Sequence, residues 1–283
     1  AHVGIIDIEK TKEAIEIRDV LIANLGNAHH TVLKEPMQIQ EQHDVVFTGL
    51  LANNFLVVQE FPTDIAVSEK YGAKIITYLN ASDMKFENLL MPIFDSIFEK
   101  NFKARYSREL LRAGMNYHIV LYSVAKQLHK YLNSKSNLKE LGPIFEHENN
   151  MASGIYHAKY LVLKGIIEQK ELESLMVNLI CWIFSEWVVA GSSKYREEFL
   201  KGDAMCLNFL IKEGALQEKD GISWPNFAKM FFEIENLSTF FSKVLENNDY
   251  ETAKDFIENN LSFEPFKAFS AKLAKIKLTT TTQ

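Results

Sequence analysis

From residue 83 onward the chain reads as helix almost throughout, and this limits its fold more than any other feature. Helices are predicted over 84–100, 106–133, 150–167, 170–190, 194–213, 225–246, 250–259 and 264–276. Breakers stand between them: Asn133-Ser134, Gly142-Pro143, Gly191-Ser192, Gly214, Gly221 and Pro225. Pro92, inside the first, marks either a kink or a later start. The tail Thr279-Thr280-Thr281-Thr282 is low in complexity and expected to fray. No repeat of solenoid period is visible.

Upstream the pattern differs. Residues 8–25 predict an amphipathic helix with Ile15, Ile17, Val20, Leu21 and Leu25 on one side, ended by Gly26-Asn27. Residues 37–61 turn β-like. Met37-Gln38-Ile39-Gln40 alternates, and Asp44-Val45-Val46-Phe47 and Asn54-Phe55-Leu56-Val57-Val58 favour strands, with Pro62 closing the region. Ile75-Ile76-Thr77-Tyr78-Leu79 predicts one more strand. The expected fold class is therefore mainly α with a small β portion.

The 283 residues suffice for one large domain or two modest ones. Residues 1–82 read as a helix and β-containing segment, and 83–283 as a helical lobe. A content of 47% hydrophobic and 24% charged residues is that of an ordinary soluble globular protein. A net charge of -6 argues against nucleic acid as a partner. Cys181 and Cys206 lie in apolar helical text and read as buried thiols in a reducing compartment. The apolar run from Leu175 to Ala190 is broken by Asn178, Ser185 and Glu186, so it reads as a core helix and not a membrane span. No signal peptide is visible, which points to the cytoplasm, although a targeting segment cleaved before Ala1 would leave no trace. The opening Ala-His-Val-Gly lacks Met, as in a fragment or a processed chain.

No phosphate loop, nucleophile elbow or cysteine-rich metal spacing occurs, which leaves histidines and carboxylates to carry chemistry. His118 and His129 lie eleven residues apart on one predicted helix and roughly share a face. They are either a metal or ligand pocket or two hydrogen-bonded helix histidines. Glu146-His147-Glu148 is either a ligand cluster or the acidic first turn of a helix, where the macrodipole favours carboxylates. Tyr156, His157, Tyr160, Trp182, Phe184 and Trp187 read as core or rim aromatics, with His118, Tyr156 and His157 as candidate cleft residues. Lys194, Arg196 and Lys201, interleaved with Glu197 and Glu198, read as a solvated face.

Several stretches resemble the dipeptidyl-peptidase III-like metallopeptidases in order and spacing, above all the branch found in bacteria and fused to Nudix domains in plants. They are Tyr71-Gly72-Ala73-Lys74 through Lys85-Phe86 to Leu90-Met91-Pro92-Ile93, then Leu138-Lys139-Glu140-Leu141, then Gly154-Ile155-Tyr156-His157-Ala158-Lys159-Tyr160-Leu161-Val162-Leu163-Lys164-Gly165. Lys201-Gly202-Asp203-Ala204 to Asn208-Phe209-Leu210, followed by Lys212-Glu213-Gly214-Ala215, continues the series. The resemblance covers nearly all of this chain, but only about the C-terminal half of a full-length family member.

That resemblance implies a two-lobed fold, a helical zinc-peptidase-like lobe with part of a β-barrel lobe. It also implies a zinc site built from two histidines of an HExxH helix and a glutamate of the next helix, with the HExxH glutamate as general base. Carried over, the first histidine falls on Ala125, the base on Lys126 and the second histidine on His129. The glutamate pair falls on Glu146 and His147, with His147 at the ligand position, and a further family histidine falls near Phe199. An ammonium cannot act as a carboxylate base and repels a nearby cation. The expectation is a catalytically inactive relative that binds a peptide or protein partner, or serves as a subunit of a larger assembly, with no cofactor. The alternative is a zinc hydrolase rebuilt around His129 and His147, with Glu146 or Glu148 and, as a further candidate, His118.

Overall fold

The computed structural model describes residues 2–29, 39–47, 56–61, 67, 70, 74–129, 137–189, 194–217 and 225–276. Four strands come first with one helix among them: β1 (His2–Ile6), α1 (Ile8–His29), β2 (Ile39–Phe47), β3 (Val58–Phe61) and β4 (Lys74–Tyr78). Eleven helices follow: α2 (Leu79–Lys85), α3 (Met91–Ile97), α4 (Lys100–Lys103), α5 (Arg108–His129), α6 (Gly142–His157), α7 (Lys159–Leu163), α8 (Gln169–Val189), α9 (Lys194–Lys212), α10 (Phe227–Asn247), α11 (Tyr250–Asn260) and α12 (Glu264–Leu273). A π-helical turn, Phe86–Leu90, joins α2 to α3.

The strands form one sheet in the order β1-β2-β4-β3. β1 runs antiparallel to β2 (His2 opposite Phe47), β2 parallel to β4 (Ile39 opposite Lys74) and β3 antiparallel to β4 (Phe61 opposite Lys74). β1 and β3 are edges, so the described strands make an open mixed sheet and no closed barrel. β1 was not expected, because five residues at a sheet edge carry too little alternation to be read. The β-like signals at Met37-Gln38 and Asn54-Phe55 lie outside the described residues, as does the threonine tail.

Helices α1, α5 and α11 start where a side chain satisfies a free amide of the first turn. Asp7 Oδ1 accepts from Lys10 N at 2.9 Å, Ser107 Oγ from Leu110 N at 3.1 Å, and Asp249 Oδ1 from Thr252 N at 3.1 Å. The breakers act as starts and stops. Pro92 lies in the first turn of α3, which settles its role as a later start after the π turn. Pro143 likewise sits in the first turn of α6, so that helix begins eight residues before the predicted 150.

α5 and α6 pack together at the centre, with α8 on the far side of α5 and α10 against α6. Phenylalanines fill the seams. Phe145 of α6 meets Phe241 of α10 edge-on at 5.4 Å, and Phe184 of α8 meets Phe266 of α12 at 5.0 Å. α8 has the length and hydropathy to cross a bilayer, but 72% of its apolar stretch is packed inside the fold. Ala14, Ile17 and Leu21 of α1 join the same core as the later helices.

Candidate functional site

Glu146-His147-Glu148 does not lie in a solvated first turn. Because α6 starts at Gly142, these residues fall in its second turn, where His147 and Glu148 face inward and are buried. The early start therefore converts a surface signal into a core one.

His147 is held on two sides. Tyr122 Oη of α5 hydrogen-bonds its Nδ1 at 2.9 Å, and the Phe199 ring of α9 stacks on the imidazole with centroids 4.2 Å apart. Its Nε2 has no hydrogen-bond partner among the described residues. Burial, with help from Lys126, Arg196 and Lys85, lowers its pKa to about 3, so the ring is neutral near pH 7.

Beside it lie two buried carboxyls. Glu148 Oε2 accepts from Cys206 Sγ at 3.0 Å, while Glu148 Oε1 and both oxygens of Asp203 have no partner among the described residues. One ligand-type atom from each of His147, Glu148 and Asp203 lies within 4.8 Å of the other two. Burial raises the Glu148 carboxyl to about 8, and burial together with Glu148 and Glu186 raises Asp203 well above the usual carboxylate range, against the pull of Lys85. Burial and the Glu148 carboxyl push up the Cys206 thiol. Gly202 makes the arrangement possible, since a Cβ there would collide with the Glu148 carboxyl.

A second buried set adjoins it. Lys85, the last residue of α2, is 3% exposed and places Nζ 3.2 Å from the centre of the Trp182 ring. Burial lowers its pKa to about 7, opposed by Glu186 and Asp203. His118 stacks on the same Trp182 at 5.0 Å. Arg196 Nη1 donates to both oxygens of buried Glu186 at 2.9 and 2.8 Å, so Arg196 is not part of a merely solvated face.

His118 is the clearest pH probe of this interior. Burial lowers its pKa from 6.5 to about 3, and Lys85 adds to the shift. Between those values the unfolded chain takes up a proton that the folded one refuses, so stability rises with pH across that window. One full proton contributes about 1.4 kcal/mol per pH unit. His118→Phe, which keeps a ring on Trp182, is expected to flatten the acid limb of the unfolding free energy measured by urea titration from pH 4 to 6.5. Parallel curves for the two proteins would refute this.

The other expected residues are dispersed. Ala125 is buried on α5, and Lys126 is exposed with Nζ 3.9 Å from Glu60 Oε2. His129 ends α5, and its side chain lies outside the described residues. Glu146 is half-buried, and burial raises its pKa against the pull of Lys126. Tyr156 and buried His157 lie at the far end of α6, about 15 Å along the helix from His147. His157 Nδ1 donates to Ser153 O at 2.7 Å, and Tyr156 faces Phe231 of α10 at 6.1 Å.

No protein-family model matches the sequence. The fold is less reticent. A structure of DPP III from Caldithrix abyssi superposes with a TM-score of 0.83 over 98% of this chain, at 18% identity. The fold is that of DPP III. Dipeptidyl-peptidase III from Corallococcus sp. strain EGB agrees, with a TM-score of 0.77 over 98% of the chain at 17% identity. Nudix hydrolase 3 of Arabidopsis thaliana is 21% identical over 233 residues, 78% of this chain. The chain spans 55% and 53% of the two DPP III structures and 29% of the Arabidopsis protein. The sequence resemblance and the DPP III fold thus agree over nearly the whole chain.

The zinc site that the resemblance implies does not suit the residues present. Ala125 offers a methyl group with no lone pair, and Lys126 offers an ammonium that lies beside Glu60. Phe199 and Tyr122 take one face and one nitrogen of His147 and leave its Nε2 without a partner among the described residues. A zinc ion held in that manner would lack a ligand and a general base.

Sequence reading passed over Lys85, Glu186 and Asp203. The signal was available for Asp203, which stands on the stripe of Leu200, Leu207 and Leu210, all buried. An acid on an apolar helix face must be paired, protonated or ligated. Lys85 breaks the rule in the same way between buried Ala81 and Leu89.

Proposed function

We propose that this chain is a DPP III-fold protein without peptidase chemistry, which acts by binding a peptide or protein partner or as a subunit of a larger assembly. One observation carries the reading: Ala125 and Lys126, at the implied first-ligand and base positions, supply neither ligand nor base, and the Lys126 ammonium lies beside Glu60. In this reading residues 83–283 form the helical lobe, residues 1–82 supply part of a second, barrel-type lobe, and the protein works in the cytoplasm. A fold outlasts the chemistry once mounted on it, because packing and catalysis depend on different residues.

The test is hydrolysis of unblocked tetra- to octapeptides by protein purified without chelator, with release of N-terminal dipeptides followed by mass spectrometry. No release above a buffer control is expected, with or without added Zn²⁺. Metal-dependent release that disappears in His129→Ala would overturn the reading and favour the rebuilt hydrolase. Light scattering at micromolar concentration separates the two binding roles, since a monodisperse monomer excludes a self-assembled subunit.

A further inference from the structure

We propose that His147, Glu148 and Asp203 bind a zinc ion at a closed, structural site, distinct from the one implied by resemblance to the peptidases. Of that implied set only His147 is shared. Glu148 lies one residue beyond it on α6, and Asp203 comes from α9.

The donors converge and are unpaired. One atom from each residue lies within 4.8 Å of the others, and ligands on one zinc stand roughly 3 to 4 Å apart, so closure by at most about 1 to 2 Å suffices. His147 Nε2, Glu148 Oε1 and both Asp203 oxygens lack partners among the described residues, although the three side chains are 8%, 2% and 0% exposed. Buried polar atoms are normally satisfied, so four orphans at one point mark a place where something belongs. The set is also matched in charge. One neutral imidazole and two carboxylates balance a divalent cation, whereas two carboxylates alone would be costly to bury.

The outer groups suit the assignment. Tyr122 on Nδ1 leaves Nε2 for the metal and fixes the ring, as partners of zinc-bound histidines commonly do. Cys206 holds the second oxygen of Glu148, and glycine at 202 leaves that carboxyl its room. Lys126, Arg196 and Lys85 act electrostatically on His147 and oppose an ion here, but Lys126 is exposed beside Glu60, Arg196 is bonded to Glu186 and the Lys85 ammonium is drawn to the Trp182 ring. The ion would tie α6 to α9, and the second oxygen of Asp203, also unpartnered among the described residues, is available to fill the fourth position of a closed site.

The test is elemental analysis of full-length protein expressed in zinc-supplemented medium and purified without chelator or polyhistidine tag. About one zinc per chain is expected, retained in His129→Ala and reduced to background in the near-isosteric Glu148→Gln and Asp203→Asn. Absence of metal, with no saturable uptake of Zn²⁺ or Co²⁺ on dialysis, would overturn this proposal and leave the non-peptidase reading standing. Zinc lost in His129→Ala but kept in Asp203→Asn would overturn both. Should the acid variants fail to fold by circular dichroism, X-ray absorption of the wild-type protein decides. A shell of one imidazole and oxygens supports the site, and a shell of two imidazoles refutes it.

Discussion

Arg196→Ala is expected to lower the unfolding free energy by about 3 kcal/mol, the low end of the cost of stripping one partner from a buried ion pair. Arg196 Nη1 donates to both oxygens of Glu186, whose side chain is 4% exposed, while Arg196 itself is 31% exposed. Losing the arginine strands a carboxylate in the core, with Lys85 as a charge that attracts it. The low end is chosen because Arg196 is partly screened by water and Lys85 can take up part of its role. Guanidinium chloride titration of wild type, Arg196→Ala and the double variant Arg196→Leu, Glu186→Leu checks it. The double variant should recover most of the loss, because it removes the stranded charge along with its partner. If the single substitution costs under about 1 kcal/mol, the pair behaves as a surface bridge and the buried network around Lys85 has been misjudged.

Gly114→Ala is expected to cost about as much for an unrelated reason. A Cβ at 114 would lie 2.5 Å from Ser174 Oγ, 2.8 Å from Asn178 Nδ2 and 2.8 Å from the Ser174 carbonyl carbon. The last of these is backbone and cannot swing away. Ser174 Oγ and Asn178 Nδ2 also donate to the carbonyls of Leu110 and Leu111 at 2.7 and 2.8 Å, which fastens α8 to α5. A methyl wedge would part the helices and loosen both bonds. Overpacking costs roughly 1–3 kcal/mol and each hydrogen bond about 1 kcal/mol, against a gain of about 1 kcal/mol from better helix propensity. The net expectation is about 3 kcal/mol in the same titration. A neutral or stabilised Gly114→Ala would mean that α5 and α8 are less closely apposed than described.

The two expectations separate what was readable from what was not. The amphipathic run at 8–25 and the core character of Leu175 to Ala190 follow from periodicity, and α1 and α8 follow them, although α1 runs through the expected stop at Gly26-Asn27 to His29. Pro92 was legible as a kink or a start, and only the structure chose between them. Glu146-His147-Glu148 was legible as a cluster but not as a buried one, because its burial depends on where α6 begins. Pro143, read as a breaker, became a helix start once the preceding turn was available to lead into it. Arg196 among its glutamates looked solvated because its partner, Glu186, lies ten residues back on another helix.

By itself the sequence determined that the chain is mainly helical with a small β portion, where most helices begin and end, and the family its fold resembles. Those properties rest on spacing along the chain, which a reader of one dimension can measure. Only the tertiary structure decided that Phe199 covers His147, that Glu148 and Asp203 meet beside it, that Arg196 pairs with Glu186 and that Lys85 is buried against Trp182. Those contacts join α2, α6, α8 and α9. They depend on how closely helices cross, which side chains as small as Gly114 and Gly202 set and no local pattern encodes.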